Sequence, residues 1–408
     1  ADLTASLESY VQDRIGFRDE MILGYTLLND QLFHKMIHPL YEYGKDGYVF
    51  FKQKQNVQFG DYHIAFAEML AEIQDYCQAR DVPFLFVLNP EKAAVYPDKL
   101  RDGIHYDRSW VQQFEQKLDE LGVNDIDNTQ LLQDRRAEGE QVFNKVYNAG
   151  HWNDLGAFYG VNNILESLSG FFPSIQPNEL SDFAVTETLQ ETLLSSQFPI
   201  HEYEPTFGRL CELEVKTEEY DAEVERNSQH RGFGYFVNPE NVAAGAPKTL
   251  VFQGSYMNGM GYKFLQTGLG EYIYVHDYEN LMDFDYYFNI FQPECVVVEV
   301  AEYTVNSGYF NAERVENFSL NPVLTLDDAA RQADKQSLAP QIAEGERLST
   351  LTVSLPEGTR YAYLLSEGKT FDLIEGEQGW QASVEKENLS ENYEVVAVGA
   401  DGKQTRYR

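Results

Sequence analysis

Two periods of hydrophobic and polar positions alternate along the first 320 residues. Apolar residues recur every three to four positions in four segments, which predicts amphipathic helices at 4–35, 62–80, 109–122 and 153–171. Continuous apolar runs predict strands that are buried on both faces, and VPFLFVLN at 82–89 is the clearest of them. Further strands are predicted at 123–127, 248–254, 271–278 and 293–300. Strands that alternate with helices indicate an α/β fold with a mostly parallel sheet.

Other patterns interrupt and follow this alternation. The stretch YEYGKDGYVFF at 41–51 predicts a β-hairpin, and residues 172–248 are polar and irregular, which indicates an insertion. After residue 320 the periodicity is lost, and 321–347 is predicted to be a linker. Short alternating runs separated by glycine-containing turns then predict a small all-β, β-sandwich-like module at 348–408. We therefore expect one α/β domain at 1–320, followed by the linker and the module.

Charge excludes several classes of partner. The 66 acidic residues exceed the 31 basic ones, so the net charge is -35. Nucleic acid and anionic lipid both require a basic surface, so neither is an expected partner. The chain contains no apolar run of the roughly 18 residues that a membrane span requires, and no signal-peptide pattern. Because the sequence begins abruptly at ADLTASLESY, we expect a signal or anchor segment upstream of it.

Cysteine spacing gives no support for a metal site. The three cysteines are far apart in the sequence and form no CxxC motif. The prediction is therefore that the protein has neither a metal nor a cofactor.

Ser255 is a candidate nucleophile. It follows the apolar strand KTLVFQG and precedes a predicted helix, so its hydroxyl is expected at the carboxyl edge of the sheet, where α/β folds build their sites. The amides of Gly254 and Tyr256 lie at the same turn and are candidate donors to an oxyanion. The alternative is that Ser255 only caps the helix.

His151 is the candidate base. It lies in the stretch NAGHWND, directly before the helix predicted at 153–171, so it too is expected near a sheet edge. A serine nucleophile needs a base with a pKa near neutrality, and histidine is the usual choice. The alternatives are a surface histidine that flanks a helix, and His276, which stands next to Asp277, as the base instead.

Six motifs together resemble a known family. In order along the chain they are SYVQDRIGFRDEMI, YGKDGYVFF, NPEKAAVYPDKL, GHWNDLGAFYG, FQGSYMN and VVVEVAEYT. Their sequence is similar to the alginate O-acetyltransferase family of the AlgX and AlgJ type, over roughly residues 4–320. The resemblance implies an SGNH-hydrolase-like fold and a cell-envelope protein that transfers acetyl groups to an exported polysaccharide. It also implies a membrane-bound O-acyltransferase as the source of acetyl groups.

Carried onto this chain, the family pattern assigns His151 as base and Ser255 as nucleophile. The family has an aspartate two residues before the histidine, but that position here is Ala149. Asn148 is the nearest side chain able to accept the imidazole N–H, and an amide orients the ring without stabilising its charged form. Three possibilities follow: a dyad steered by Asn148, an acid from elsewhere such as Asp154, or a protein that has lost catalysis and still binds glycan.

The resemblance also suggests residues around the dyad. Asn89, at the end of the strand 82–89, is a candidate oxyanion donor, or else a turn asparagine before proline. Lys92 and Tyr96 are candidates for lining a sugar groove, although Lys92 is equally suited to capping a helix. Trp152 and Asn258 complete the predicted substrate-binding set.

The predicted function is O-acetyl transfer to a secreted or cell-surface polysaccharide through an acetyl-serine. Two alternatives remain. One is an acetyl esterase, in which water replaces the sugar hydroxyl. The other is a non-catalytic, glycan-binding scaffold of an export machine, which the alanine at position 149 favours.

Overall fold

Five adjacent parallel strands form most of a seven-stranded sheet in the computed structural model of this protein. The structure describes residues 18–408 except for 34, 37, 39, 53–56, 195–197, 329–330 and 332–334. Most of the first family-like motif and the start of the helix predicted at 4–35 lie outside these residues. In spatial order the strands of the sheet are β4 (Asp125–Asp127), β3 (Phe84–Asn89), β11 (Cys295–Ala301), β9 (Lys248–Gln253), β10 (Glu271–His276), β8 (Phe233–Val237) and β7 (Glu214–Val215). The first five are parallel, and β8 and β7 add an antiparallel edge.

Helices cover both faces of this sheet. In chain order the α-helices are α1 (Arg18–Phe33), α2 (Asp61–Gln78), α3 (Lys92–Val95), α4 (Ser109–Leu121), α5 (Thr129–Ala137), α6 (Asp154–Ser169), α7 (Thr217–Tyr220), α8 (Pro239–Ala243), α9 (Tyr262–Gly268), α10 (Phe284–Phe291) and α11 (Ala312–Glu316). Every residue of β3 and β11 is buried, as the apolar runs predict. Successive residues of β9 face opposite helical layers. Phe252 packs with α2, α4 and α10, and Val251 packs with α6 and α9. The predicted mostly parallel sheet flanked by helices is confirmed.

Residues 172–248 contain more regular structure than their polar sequence indicates. A long antiparallel hairpin is formed by β5 (Phe183–Thr192) and β6 (Pro199–Arg209), and β7 and β8 extend the main sheet. The exposed positions of β5 and β6 explain why no buried-strand pattern appears in this part of the sequence. The predicted hairpin at 41–51 is present as β1 (Tyr41–Tyr43) and β2 (Val49–Phe51).

The C-terminal part is all-β, as predicted. It is one antiparallel seven-stranded sheet that curves into a half-barrel, and not a sandwich of two sheets. Its strands are β12 (Gln341–Glu344), β13 (Leu348–Val353), β14 (Thr359–Ser366), β15 (Lys369–Gly376), β16 (Gly379–Glu385), β17 (Glu394–Gly399) and β18 (Gln404–Tyr407). The first of these strands lies inside the segment predicted to be a linker. The exact domain boundaries stay a prediction.

A buried polar junction joins the two parts. The side-chain amide of Asn289, on α10, donates to the carbonyl of Asp372 on β15 (2.8 Å) and accepts from the N–H of the same residue (3.0 Å). Tyr76 of α2 donates its hydroxyl to the Asp372 carboxylate at 2.5 Å. Asn289 and Asp372 are 1% and 2% exposed. An ordered, water-poor contact of this kind fixes the half-barrel against the helical layer.

The junction gives a stability prediction. Asn289→Ala leaves a buried N–H and a buried carbonyl without partners, so we expect the free energy of unfolding to fall by ~2–4 kcal/mol. Urea denaturation followed by circular dichroism measures it. The control is Asn392→Ala on the exposed surface of the half-barrel, for which a change within ~0.5 kcal/mol is expected. Equal effects of the two substitutions would contradict a structural role for the junction.

No helix among the described residues combines the length and apolar character needed to cross a bilayer.

Candidate active site

Three neighbouring parallel strands end at the site. Asn89 is the last residue of β3, Ser255 follows β9 by two positions, and Tyr303 follows β11 by two positions. Because parallel strands of one sheet point their carboxyl ends to the same edge, these residues meet there. His151 reaches this edge from the loop that precedes α6.

A sharp turn presents the Ser255 hydroxyl. The chain leaves β9 at Gln253, passes through Gly254 and enters a helical turn at Ser255, where a π-helical segment (Met257–Gly261) precedes α9. The N–H of Asn258 donates to the Gly254 carbonyl (3.1 Å), and the Asn258 side chain accepts from Gln253 (2.6 Å). Asn258 therefore holds the turn. Short π-helical segments of this kind are frequent at functional sites.

His151 lies between Ser255 and Asn148. Its Nε2 is 2.8 Å from Ser255 Oγ, and its Nδ1 is 3.0 Å from Asn148 Oδ1. A carbonyl oxygen only accepts, so the proton of the neutral imidazole is on Nδ1 and Nε2 is left to accept from the serine hydroxyl. Ser255 and His151 are both half-buried. The structure thus brings the predicted nucleophile, base and orienting amide into one hydrogen-bonded chain.

Asn148, and not Ala149, is the residue that faces the imidazole in this geometry. Asn148 adopts a left-handed conformation (φ 49°), which directs its amide at His151. Ala149 is 2% exposed and packs in an apolar cluster with Val49 and Phe198. The alternative acid, Asp154, accepts instead from Lys263 (2.7 Å) and from the N–H of Phe207 (2.8 Å).

The imidazole is a weak base because of its surroundings. Burial lowers the pKa of His151 to about 4. Both hydrogen-bonding partners, Asn148 and Ser255, are uncharged, so neither favours the imidazolium. At neutral pH the ring is therefore deprotonated and free to accept a proton, with a smaller driving force than a histidine of ordinary pKa.

Tyr303 is a site residue that the motifs did not single out. Its hydroxyl is 3.1 Å from Ser255 Oγ. The single serine proton is directed at His151, so Tyr303 is the donor of this second hydrogen bond. Burial raises the pKa of Tyr303, which keeps the hydroxyl protonated. The sequence feature that could have identified Tyr303 is its position in the motif VVVEVAEYT, just beyond the end of β11, the strand next to β9.

Buried partners engage two of the predicted oxyanion donors. The N–H of Gly254 donates to Glu299 Oε2 (2.9 Å), and the amino group of Asn89 donates to Glu299 Oε1 (2.7 Å). Asn89 and Glu299 are fully buried. Burial, followed by the nearby charge of Asp277, raises the pKa of Glu299 to about 8. The N–H groups of Ser255 and Tyr256 remain, since amides in the first turn of a helix have no intrahelical acceptor.

Three of the predicted substrate-binding residues are buried and do not line an open groove. Trp152, Lys92 and Tyr96 are 0%, 2% and 2% exposed. The Trp152 indole donates to the carbonyl of Tyr256 (3.2 Å), and its ring packs against the Tyr256 ring next to Ser255 and His151. The sequence alone does not distinguish a large apolar side chain or a lysine that supports the site from one that contacts the substrate.

His276, the other candidate base, lies at the end of β10. Its Nδ1 is 3.1 Å from Asp277 Oδ1, and its ring packs with His230 and Tyr278. In the part of the chain that the structure describes, the hydrogen-bond partners of Ser255 Oγ are His151 and Tyr303. Nor do the described residues contain a group of three His, Cys, Asp or Glu side chains arranged to hold a metal ion.

A carboxylate at position 148 tests this geometry. Asn148→Asp places a negative charge on the Nδ1 side of the imidazole, which favours the protonated ring, so we expect the pKa of His151 to rise by about 1–3 units. A pH titration of the imidazole signals by NMR measures it. Asn148→Ala, which removes the partner without adding charge, is the control. An unchanged titration in Asn148→Asp would show that position 148 does not face the ring in solution.

Part of the chain matches a known protein family. Residues 42–239 match the family described as ALGX, SGNH hydrolase-like domain, acetyltransferase AlgX. The matched part includes Asn148 and His151 and ends before Ser255. Among curated proteins, none matches the chain.

Several solved structures are similar to parts of this chain. Bacillus cereus PatB1 is 14% identical, with a TM-score of 0.47, over 64% of this chain and 95% of that one. The O-acetyltransferase domain of Pseudomonas putida AlgJ is 16% identical, with a TM-score of 0.43, over 68% and 99%. Pseudomonas aeruginosa AlgX is 13% identical, with a TM-score of 0.46, over 87% and 93%. The resemblance drawn from the motifs is confirmed by the family match, which shows that residues 42–239 are similar to the SGNH hydrolase-like AlgX acetyltransferase family.

Proposed function

We propose that this protein is an O-acetyltransferase that acts on a secreted or cell-surface polysaccharide through an acetyl-Ser255 intermediate. The observation that carries the proposal is the 2.8 Å hydrogen bond between His151 Nε2 and Ser255 Oγ, which joins residues 104 positions apart at the carboxyl edge of the sheet. The match of residues 42–239 to a family described as acetyltransferase supports the same reaction.

In the first half-reaction Ser255 takes the acetyl group. The hydroxyl oxygen attacks the acetyl carbonyl while His151 Nε2 removes its proton. The bond between the acetyl carbon and the donor's leaving group then breaks, and the imidazolium returns the proton to that leaving group. Asn148 keeps the Nδ1–H oriented throughout, so Nε2 stays directed at the serine.

In the second half-reaction the acetyl group moves to the acceptor. A sugar hydroxyl gives its proton to His151 Nε2 and attacks the acetyl carbonyl of Ser255. The bond from the carbonyl carbon to Ser255 Oγ breaks, and the serine regains its proton from the imidazolium.

Negative charge on the carbonyl oxygen requires donors that are already in place. The N–H groups of Ser255 and Tyr256, at the start of the helical turn, are the backbone donors in this proposal. The protonated hydroxyl of Tyr303, 3.1 Å from Ser255 Oγ, is the side-chain donor. The Gly254 N–H and the Asn89 amide, engaged by Glu299, support the turn instead.

The acceptor surface lies beside Tyr303. Tyr303 and Tyr309 are half-buried, and their ring centroids are 5.9 Å apart, next to the nucleophile. Aromatic faces of this kind suit sugar rings, and they replace the buried Trp152, Lys92 and Tyr96 as the proposed contacts. The net charge of -35 favours an uncharged polysaccharide over a polyanionic one. We place the protein outside the cytoplasm, with a membrane-bound O-acyltransferase as the acetyl source, on the family resemblance.

Asn148 favours one further candidate, a glycan-binding scaffold without catalysis. In serine-triad enzymes, replacement of the acid by asparagine costs roughly four orders of magnitude in rate. The intact hydrogen bond from Ser255 to His151 favours retained catalysis. An acetyl esterase would use the same residues with water as acceptor, so the products separate it from a transferase.

The serine requirement is directly testable. With a chromogenic acetyl ester and an uncharged oligosaccharide, we expect acetylated sugar by mass spectrometry and an acetyl group on the Ser255 peptide. Ser255→Ala should lower the rate at least ~10³-fold because it removes the acetyl carrier. Ser228→Ala, at an exposed serine, is the matched control. Acetate without acetylated sugar would indicate the esterase, and sugar binding without turnover would indicate the scaffold.

Tyr303 gives a second prediction. Tyr303→Phe keeps the ring and removes the hydroxyl, so the oxyanion loses one donor and kcat should fall about 10²-fold with little change in KM. Steady-state kinetics on the acetyl ester measures both constants. Tyr309→Phe should leave kcat near the wild-type value. If the two variants behave alike, the hydroxyl of Tyr303 has no special part in the reaction.

A further inference from the structure

One carboxylate binds the loop that leads to Asn148. Residues 145–147 precede Asn148 directly, and their three successive N–H groups all donate to Glu202 on β6. Lys145 donates to Glu202 Oε1 at 2.5 Å, and Val146 and Tyr147 donate to Oε2 at 2.9 and 2.6 Å. A row of backbone N–H groups is an anion-binding concavity, and hydrogen bonds to a charged acceptor are about twice as strong as neutral ones.

A buried cation binds the same loop from the other side. Lys92 Nζ donates to the carbonyl of Lys145 (2.9 Å) and to the carbonyl of Val49 (2.7 Å). The Lys145 carbonyl also accepts from the N–H of Val49 on β2. Burial lowers the pKa of Lys92 to about 7, and the charge of Glu202 acts in the opposite direction. A lysine that is 2% exposed and touches no exposed surface needs a structural reason to be there.

We propose that Glu202 and Lys92 form a clamp on residues 145–147 that positions Asn148 and, through Asn148, sets the orientation of His151. Both are positioning residues, since neither contacts the reacting atoms. The inference rests on the proposed function insofar as His151 acts as the base. It assigns to the hairpin of β5 and β6 a part in catalysis that its exposed sequence does not suggest.

The backbone of Asn148 is the reason that a clamp is needed. Asparagine adopts the left-handed region more readily than other non-glycine residues, but this is one of several conformations open to it, so the surroundings of Asn148 must select it for the amide to face His151. The bond from Asn148 to His151 joins two uncharged groups, so it is weaker than the carboxylate bond that a triad acid would make. Orientation of the imidazole therefore depends on the rigidity of the backbone that carries the amide, and the hydrogen bonds to Glu202 and from Lys92 supply that rigidity.

The first experiment needs no turnover. The nitrogen shifts of His151, measured by NMR at pH 7, report which ring nitrogen carries the proton. We expect one fixed tautomer, protonated on Nδ1, in the wild type, and a mixture of tautomers in Glu202→Gln and in Lys92→Met. Glu204→Gln is the matched control, because Glu204 lies on the same strand and accepts from the side chains of Asn144 and Gln190, not from the N–H groups of residues 145–147.

The second experiment is a double-mutant cycle with acetyl transfer as the readout. Glu202→Gln should lower kcat by about tenfold to a hundredfold with KM unchanged, because a misplaced base loses rate and not binding. In the background of Asn148→Ala the same change should have no further effect, since the clamp then has nothing to position. A merely structural role would make the two losses additive. Glu202→Asp, which keeps the charge, should recover part of the rate.

The two arms separate this inference from the proposed function. If the wild type transfers no acetyl group, the proposed function fails and the tautomer of His151 still decides the clamp. Unchanged nitrogen shifts in Glu202→Gln overturn the clamp, and so do additive losses in the cycle. If Lys92→Met does not fold, the nitrogen shifts and the double-mutant cycle of Glu202→Gln decide whether the clamp exists.

Discussion

The hydrogen bond from Ser255 to His151 joins two segments whose backbones are fixed independently. Ser255 is placed by the end of a buried parallel strand, and its turn is tied by Asn258 and Glu299. His151 is placed by the start of α6, where the Asn153 side chain caps the helix by accepting from the N–H of Gly156 (3.0 Å). The chemistry therefore depends on the packing of a helix against a sheet, and the two side chains add only the last contact.

Uncharged partners give this site its particular electrostatics. A triad acid would raise the pKa of the imidazole and stabilise its charged form, whereas Asn148 does neither. The ionisable groups around the nucleophile are themselves shifted towards neutrality: Glu299 holds its proton up to about pH 8, and Tyr303 stays protonated. The reaction centre is thus a low-charge environment inside a strongly acidic protein.

Much of the fold follows from local patterns. The apolar runs at 82–89 and 293–300 predict β3 and β11 because a strand buried on both faces has apolar residues at nearly every position. Ser255 and His151 could be found because each stands beside such an element, at the place where sheets expose functional groups. These local rules suffice to nominate the proposed nucleophile and base.

The rest depends on contacts between distant segments. Tyr303 and Ser255 meet because β11 neighbours β9 in space, an order that no stretch of sequence specifies. Glu202 lies on a strand with exposed flanks, so its pattern resembles that of a loop, and its role exists only through residues 145–147. Lys92 is recognisable as buried only once the β1–β2 hairpin covers it.

The conformation of Asn148 has a consequence for how such a protein changes over generations. Codons for asparagine and aspartate differ by a single nucleotide, and the amide already stands where an acid would meet the ring. A substitution of alanine at 149, by contrast, would place any new charge among apolar side chains. A single-nucleotide change at position 148 is therefore enough to replace the uncharged partner of the imidazole by a charged one.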